Sequence, residues 1–271
     1  MSAAVPREAI DSFPEIVPVL PVAGAPLDAE ALLQRFSAPD RSTPTLRVNF
    51  IQSIDGSATL GGLSGALGGP ADKAVFDTLR AVSDVVLAGA GTARDEGYGA
   101  LTVAERFVDW RVAHGLPPHP VMALVSGSLD LDPQSALFRQ APVRPIVFTT
   151  RRAPQDARER LREVADVVDA GEEHADPTTI RASLTARGLR QVLCEGGPSL
   201  FGAFVAADQV DELCLTTSPM LEGGAGPRIA SAVGAASAAR AMELDSLLRS
   251  GSMLLARWVR ARGDSGSTGV A

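Results

Sequence analysis

Aromatic residues, cysteine and histidine are all scarce in this 271-residue sequence, which has 4% aromatics, two cysteines and three histidines. None of the histidines, His114, His119 and His174, has a cysteine or carboxylate partner at metal-ligand spacing, so no metal site is predicted. Cys194 and Cys214 each lie in an apolar, strand-like segment. They are interpreted as buried reduced thiols, which argues against a disulfide-stabilised scaffold.

Long hydrophobic runs and an excess of positive charge are also missing. The apolar runs are far shorter than the roughly 20 residues of a membrane span, and Met1–Ile10 lacks the basic-then-apolar order of a secretory signal. The net charge of −7 argues against a nucleic-acid or anionic-membrane partner. The Gly-x-Ser-x-Gly and Gly-x-x-x-x-Gly-Lys-Ser/Thr motifs do not occur, which argues against common hydrolases and P-loop proteins. We therefore expect a cytoplasmic protein that holds any phosphate-bearing ligand with local groups.

Strand-like and helix-like segments alternate along most of the chain, which predicts an α/β fold with a mostly parallel sheet flanked by helices. Near the C-terminus, Ala239–Leu247 and Ser252–Arg260, joined by Arg249-Ser250-Gly251, predict an antiparallel hairpin. We expect one domain over residues 45–262, an arm packed on it over residues 1–44, and a disordered tail over residues 263–271. The other predicted strands are Leu46–Ser53, Asp84–Ala88, Val121–Val125, Pro145–Thr149, Val164–Val168, Gln191–Cys194 and Asp211–Thr217, and the predicted helices are Asp28–Phe36, Ala71–Val82, Asp156–Arg162, Thr178–Arg187 and Ser199–Ala206.

The most informative turn follows the strand Gln191–Cys194 and reads Glu195-Gly196-Gly197-Pro198-Ser199-Leu200. Two glycines let the backbone come close to a ligand, and proline suits the first turn of a helix. Free amides and the positive end of that helix could bind a pyrophosphate. In open α/β sheets, ligands bind beyond the carboxyl ends of the strands, where this turn lies. The alternative is a tight turn that binds nothing.

Two further turns have features of a dinucleotide site. Gly89-Ala90-Gly91-Thr92-Ala93-Arg94 approaches the Rossmann fingerprint, but it has arginine in place of the third glycine and lacks the later acidic residue. It favours a loop that contacts phosphate or nicotinamide on another fold. Thr149-Thr150-Arg151-Arg152 combines hydroxyls with guanidinium groups, which suits an adenosine 2′-phosphate and would select NADP. A solvated cationic turn is the alternative there.

Asp55 follows the first predicted strand of the domain in Gln52-Ser53-Ile54-Asp55-Gly56. At the mouth of the sheet its carboxylate could orient a polar substrate or relay a proton. An ordinary Asp-Gly turn is the alternative.

Taken in order, these segments resemble the reductase domain of the bifunctional riboflavin-biosynthesis deaminase/reductase, and especially its stand-alone actinobacterial pyrimidine reductase relatives. The resemblance extends from about Leu46 to Arg260, and its order and spacing argue against chance. The segments that carry it are Ser53-Ile54-Asp55-Gly56, Ser64 in a glycine-rich loop, Leu79–Asp84, Gly91-Thr92-Ala93-Arg94, Glu195–Leu200, Val210–Leu213 and Ser218–Gly224.

The resemblance implies a dihydrofolate-reductase-like fold, NADPH as hydride donor and a homodimer. It implies that Glu195 faces the substrate while the rest of its turn binds the cofactor pyrophosphate. Arg80 also suits a ribose phosphate as a forked donor. The residues that we assign to the cofactor are Gly89, Thr92, Glu96, Thr150, Arg151, Gly196, Gly197, Pro198, Ser199 and Leu200; those assigned to the substrate are Ser53, Ser64, Arg80 and Glu195; and those assigned to catalysis are Asp55 and Glu195.

The sequence departs from the bifunctional family in two respects. The His-x-Glu and Pro-Cys-x-x-Cys zinc motif of the deaminase half does not occur. The family's acidic Asp-x-Pro-x-Leu-Thr-x-Arg run, which contacts substrate, is here Asp95–Ala104 and lacks the terminal arginine. Because this arginine is missing, two alternatives stay open: the phosphoribosyl group is bound in a different way from the family, or the substrate is different.

The predicted function is reduction of 5-amino-6-(5-phosphoribosylamino)uracil to its ribitylamino product, by hydride transfer from NADPH to C1′ of the ring-opened imine. One alternative is a reductase of pterins, including dihydrofolate, on the same fold. The other alternative is a catalytically silent protein that binds NADP.

Overall fold

The computed structural model describes residues 13–231 and 239–261. Within these residues the strands are β1 (Val17–Leu20), β2 (Thr45–Gln52), β3 (Val85–Gly89), β4 (Val121–Val125), β5 (Ile146–Thr149), β6 (Asp166–Asp169), β7 (Gln191–Cys194), β8 (Glu212–Thr217), β9 (Met242–Ser250) and β10 (Met253–Arg260). The α-helices are α1 (Ala29–Phe36), α2 (Pro70–Val82), α3 (Ala90–Asp95), α4 (Glu105–Ala113), α5 (Ala136–Arg139), α6 (Gln155–Arg162), α7 (Pro177–Ala186) and α8 (Pro198–Ala206). None of these helices is long and apolar enough to cross a lipid bilayer.

All ten of these strands form one sheet, in the order β1-β9-β10-β8-β2-β7-β3-β4-β5-β6. The strands from β8 to β6 in that order run parallel to their neighbours, whereas β1, β9 and β10 make antiparallel pairs. The central strands β3 and β7 are buried along almost their whole length, as is typical of parallel strands covered on both faces. The predicted fold class, a mostly parallel α/β sheet with a C-terminal antiparallel hairpin, is confirmed.

Two apolar clusters cover the two faces of the sheet. One cluster includes side chains of α1, α2 and α6, such as Leu32, Leu79 and Leu161. The other includes side chains of α7 and α8, such as Ile180 and Phe204. Burial of a side chain of this size stabilises a fold by roughly 1.5–3 kcal/mol. Because helices cover both faces, the carboxyl ends of the parallel strands are left as the place where a ligand can meet the sheet.

The N-terminal segment adds one strand and one helix to this core. β1 pairs with β9 at the edge of the sheet, and the predicted helix Asp28–Phe36 forms as α1. Asp28 caps it, accepting a hydrogen bond of 2.8 Å from the Ala31 amide, a contact worth about 1 kcal/mol. The arm boundary at residue 44 stays a prediction, and the predicted tail, residues 263–271, lies outside the described residues.

The C-terminal hairpin is confirmed, but its predicted bounds are wrong. β9 continues through Ser250, because Arg249 pairs with Leu254 and Ser250 with Met253. The turn is centred one residue later than expected, where Gly251 has a φ of +57°, a left-handed conformation that favours glycine.

The sequence patterns did not predict α4 and α5. In α4, one of the two fully covered side chains is Arg111, so the helix lacks the apolar stripe that would identify it. Nε of Arg111 donates to the carbonyl oxygen of Pro117, and Nη1 donates to those of Ala81 and Ser83, at 2.6–2.7 Å. Its buried Nη2 has no hydrogen-bond partner among the described residues. α5 spans only four residues, too few to show helical periodicity.

Candidate active site

A large cleft opens at the carboxyl ends of the parallel strands. It has a volume of about 1450 Å³, which is larger than the range of roughly 300–1,000 Å³ for single-ligand pockets. Its walls come from the end of β2, the glycine-rich loop before α2, one side of α2, α3 with the loop after it, and the turn after β7. The cleft is therefore large enough to hold a cofactor and a substrate side by side.

The Glu195–Pro198 turn is packed so tightly that side chains could not replace its glycines. At Gly196, where φ is +86°, an added Cβ would lie 2.5 Å from Cζ of Phe50, and at Gly197 an added Cβ would collide with Oγ1 of Thr92. The peptide bond between the two glycines is cis. The carbonyl of Gly196 accepts a hydrogen bond of 2.6 Å from the amide of Gly89, which joins the ends of β3 and β7.

α8 starts directly after this turn, with Gly197 as its N-cap and Pro198 at its first position. The amides of Ser199 and Leu200 donate to no acceptor in the described part of the chain. Unsatisfied first-turn amides and the positive end of a helix suit an anionic group. A backbone that tolerates no Cβ, followed by free amides, fits the pyrophosphate of a dinucleotide.

Glu195 is held in place by two side chains across the cleft. Arg80 donates from Nε to Oε1 and from Nη2 to Oε2, both at 2.7 Å, and the Tyr98 hydroxyl donates to Oε2 at 2.7 Å. The guanidinium of Arg80 lies over the rings of Phe76 and Tyr98, with its central carbon 4.2 Å and 5.3 Å from their centroids. Bidentate pairing and stacking leave these side chains little freedom to reorient.

The pKa shifts of this cluster keep its charges fixed near neutral pH. Burial and the charge of Glu195 raise the pKa of Tyr98 far above its ordinary value, so its hydroxyl stays protonated and acts as a donor. Burial lowers the pKa of Arg80, but the charge and hydrogen bonds of Glu195 outweigh burial and raise it. Arg80 therefore stays cationic.

The glycine-rich loop is attached to the C-terminal end of α3 by one contact. The carboxylate of Glu96 accepts a hydrogen bond of 2.9 Å from the backbone amide of Ser64. Both residues line the cleft, and so does Thr92. The contact sets the position of the glycine-rich loop over the cleft.

The structure brings part of the predicted site together in the cleft. The predicted residues that line it are Ser64, Arg80, Thr92, Glu96, Glu195, Gly197 and Pro198. The predicted residues outside its lining are Ser53, Asp55, Gly89, Thr150, Arg151, Gly196, Ser199 and Leu200. Of this second group, Gly89, Gly196, Ser199 and Leu200 belong to the two turns that form its wall.

Asp55 makes all its contacts within the turn after β2 and with a neighbouring turn. It accepts hydrogen bonds from the Ser53 hydroxyl and from the amides of Glu222 at 3.2 Å and Gly223 at 2.7 Å. These donors lower its pKa to about 2. Its catalytic assignment, like that of Ser53 to the substrate, stays a prediction, while the contacts favour the alternative of a structural turn.

Thr150 and Arg151 lie at the end of β5, two strands beyond β3 in the sheet. Thr150 is buried and its carbonyl accepts a hydrogen bond from Arg158. Arg151 is exposed and forms an ion pair of 2.7 Å with Glu172. An exposed pair of this kind is weak, so Arg151 could exchange Glu172 for a phosphate. Its assignment to a 2′-phosphate stays a prediction.

Two functional candidates were not predicted from the sequence. Tyr98 is the chain's one tyrosine, but its contact with Glu195 joins residues 97 positions apart. Asp72, the third residue of α2, lines the cleft and has a carboxyl whose pKa is raised by burial, although a hydrogen bond from Thr216 lowers it in part. Its place in the first turn of a helix after a glycine-rich loop is the signal that could have identified it.

Comparison with known proteins gives a consistent result. The RibD C-terminal domain family matches residues 44–256. A 2,5-diamino-6-ribosylamino-4(3H)-pyrimidinone 5′-phosphate reductase of Aquifex aeolicus is 32% identical over 178 residues, which are 64% of this chain and 75% of that protein. The reductase of the same name from Archaeoglobus fulgidus is 27% identical over 153 residues, 56% of this chain and 69% of that protein.

A solved structure shows the same likeness in three dimensions. The crystal structure of a pyrimidine reductase-like protein from Corynebacterium diphtheriae superposes with a TM-score of 0.79 and 27% identity, over 88% of this chain and all of that one. Sequence and fold therefore agree, and this chain belongs to the RibD C-terminal domain family.

Proposed function

We propose that this chain is an NADPH-dependent reductase of a riboflavin-pathway pyrimidine that carries a phosphoribosylamino group. The names of the relatives from Aquifex aeolicus and Archaeoglobus fulgidus support this class of reaction. The observation that carries the proposal is the combination of the tightly packed Gly196-Gly197 turn, the free amides that follow it and the buried carboxylate of Glu195 in one cleft.

The cofactor would be held at the turn after β7. Its pyrophosphate fits the amides of Ser199 and Leu200, with Thr92 in α3 and Glu96 at the end of that helix nearby. Arg151 would bind a 2′-phosphate by exchanging its partner Glu172 for it. When bound, the cofactor supplies the hydride. The protein's part is to fix the distance between donor and acceptor carbons and to keep water away from them.

The substrate would occupy the side of the cleft that faces α2. Reduction of the ring-opened C1′=N bond adds a hydride to the carbon and a proton to the nitrogen, giving the ribitylamino group. Glu195 has both oxygens fixed by Arg80 and Tyr98, so its remaining lone pairs are oriented towards substrate hydroxyls. Arg80 bonds Glu195 through Nε and Nη2, and Nη1 takes no part in that pairing, so it can serve the substrate phosphate. Ser64, in the glycine-rich loop, would border the substrate on this side of the cleft.

The test is oxidation of NADPH by purified protein with three substrates in parallel. These are 5-amino-6-(5-phosphoribosylamino)uracil, 2,5-diamino-6-ribosylamino-4(3H)-pyrimidinone 5′-phosphate and dihydrofolate. Turnover of a phosphoribosylamino-pyrimidine supports the proposal. Turnover of dihydrofolate alone identifies a pterin reductase, and tight NADPH binding without turnover of any of the three identifies a silent NADP-binding protein.

We also infer a homodimer, as the family resemblance implies. Size-exclusion chromatography with light scattering would measure the oligomeric state, and a monomer throughout the concentration range used for assay would contradict the inference.

A further inference from the structure

The N-terminal arm, which the structure describes from Phe13 onward, is fixed against the domain before it reaches β1. Ile16 is fully buried, and its carbonyl accepts a hydrogen bond of 2.8 Å from the amide of Leu27. β1 then pairs with β9 at the edge of the sheet. Phe13 itself is half-buried and packs against the core cluster to which α1 and α2 contribute. The chain around Phe13 therefore has a defined position on the domain.

This part of the arm forms one wall of the cleft. Phe13, Pro14 and Ala29, the first residue of α1, line the cleft together with residues of α2. The RibD C-terminal domain family matches residues 44–256, so these three residues add a wall from outside the matched region. The arm therefore contributes to the candidate active site as well as to the edge of the sheet.

The arm brings apolar surface to a cleft in which the charges of α2 are already paired. Phe76 also lines the cleft, and its ring supports the guanidinium of Arg80, which is paired with Glu195. Lys73 and Asp77 line the cleft as well and pair with each other at 2.8 Å. Two phenyl rings and a proline offer no hydrogen-bond donor to sugar hydroxyls or to a phosphate, but they suit the face of a flat ring. The wall therefore suits the pyrimidine part of the substrate.

We propose that Phe13 is a substrate-binding residue, whose ring forms with that of Phe76 an apolar wall against the face of the pyrimidine. This inference rests on the proposed function and adds to the substrate site a residue from outside the matched region. Packing against the face of a ring does not depend on the hydrogen-bonding groups at its edge. Phe13 therefore contributes affinity for the pyrimidine substrate and not for the cofactor, whose pyrophosphate is assigned to the turn after β7.

The kinetic test compares wild type, F13A, F13Y and a matched control, V22A. Val22 belongs to the same arm, is 74% exposed and lies outside the cleft lining of the described residues. For F13A we expect KM for the pyrimidine substrate to rise about 3- to 10-fold, as for loss of one aromatic contact, with an unchanged Kd for NADPH. F13Y keeps the ring, and its KM should lie within about twofold of wild type.

Three kinetic results would overturn the inference. The first is a wild-type KM in F13A, even if its Tm falls, because Phe13 would then only stabilise the arm. The second is an equal rise of KM in V22A, and the third is an equal rise of the Kd for NADPH in F13A. Either of these would show a general disturbance of the arm or the cleft.

Protection from alkylation tests the contact without turnover. The chain's two cysteines are both buried, so the thiol introduced in F13C is the accessible target for iodoacetamide in the folded protein. In the absence of NADPH, we expect saturating 2,5-diamino-6-ribosylamino-4(3H)-pyrimidinone 5′-phosphate or 5-amino-6-(5-phosphoribosylamino)uracil to slow this alkylation several-fold. NADPH alone should leave the rate unchanged, and in V22C neither ligand should change it.

The two experiments separate this inference from the proposed function. Equal alkylation rates of F13C with and without the pyrimidines overturn the role of Phe13, even where wild type reduces one of them. Protection of F13C by a pyrimidine that wild type does not reduce supports the wall and contradicts only the proposed reaction.

Discussion

Tyr98 donates its hydroxyl proton to Oε2 of Glu195 across 2.7 Å, which ties the loop after α3 to the turn after β7. Tyr98 also lies beside the guanidinium of Arg80, so one side chain supports both members of the ion pair. The ring contributes stacking, and the hydroxyl contributes a charge-assisted hydrogen bond.

Y98F should remove the hydrogen bond and keep the ring over Arg80. We expect kcat to fall about tenfold, as for loss of one hydrogen bond to a charged group, with little change in the Kd for NADPH. Steady-state kinetics with titration of the cofactor would measure both. The companion variant Y98L also loses the ring, and its kcat should be lower than that of Y98F. A kcat of Y98F equal to that of wild type would show that the hydroxyl does not contribute to turnover.

G197A should disrupt the turn after β7, because its Cβ would collide with Oγ1 of Thr92. Overpacking of this kind costs typically about 1–3 kcal/mol, and a shift of the turn would also weaken the cofactor site. We expect a lower Tm and about tenfold or more weaker NADPH binding. The control is G127A, in an exposed loop where a Cβ meets nothing within 4 Å. Unchanged binding in G197A would locate the cofactor elsewhere.

D55N should destabilise the turn after β2, which the hydrogen bonds of the Asp55 carboxylate stabilise. Its donors, Ser53 and the amides of Glu222 and Gly223, lower its pKa from 3.8 to about 2. The stabilisation is therefore full above about pH 4 and is lost as the pH falls through about 2. We expect a lower Tm near neutral pH and nearly unchanged kcat in the folded enzyme. A large fall in kcat with wild-type Tm would instead support the catalytic assignment made from the sequence.

E212Q should weaken the sheet far from the cleft. Glu212 bonds Arg47 at 2.6 Å and Arg257 at 2.7 Å, linking β2, β8 and β10. Breaking a buried pair costs about 3–5 kcal/mol, and about 3 kcal/mol or less is expected here because glutamine keeps one acceptor. Denaturant unfolding would measure it, with the exposed Glu243 changed to Gln as control.

The pH dependence of the same group has a defined sign. Burial raises the pKa of Glu212, but the two arginines outweigh it and lower the pKa below 4.5. The stability that Glu212 contributes is therefore present above pH 4.5 and lost as the pH falls below it. In E212Q this part of the acid destabilisation should disappear, and an unchanged acid profile would contradict the assignment.

Structural elements with local causes could be predicted from the amino-acid sequence alone. The apolar runs Val121–Val125 and Gln191–Cys194 formed strands with the predicted bounds, because short buried strands contain almost continuous apolar residues. The Gly196-Gly197-Pro198 turn could also be identified, since glycines and a first-turn proline are local requirements of a close strand-to-helix turn. Asp28 was identified as a cap for the same reason.

Contacts between distant side chains, in contrast, could be known only from the folded chain. Arg80 and Glu195 are 115 positions apart, and Tyr98 and Glu195 are 97 positions apart, so no local pattern records their contact. Asp55 had the right residue type for a site, but three donors of its own turn and a neighbouring turn hold it outside the cleft lining. Asp72 was missed because the burial of a carboxyl depends on what packs around it. Residue types indicate which side chains could bind a ligand or carry a charge. Which of those side chains contact one another depends on the path of the whole chain.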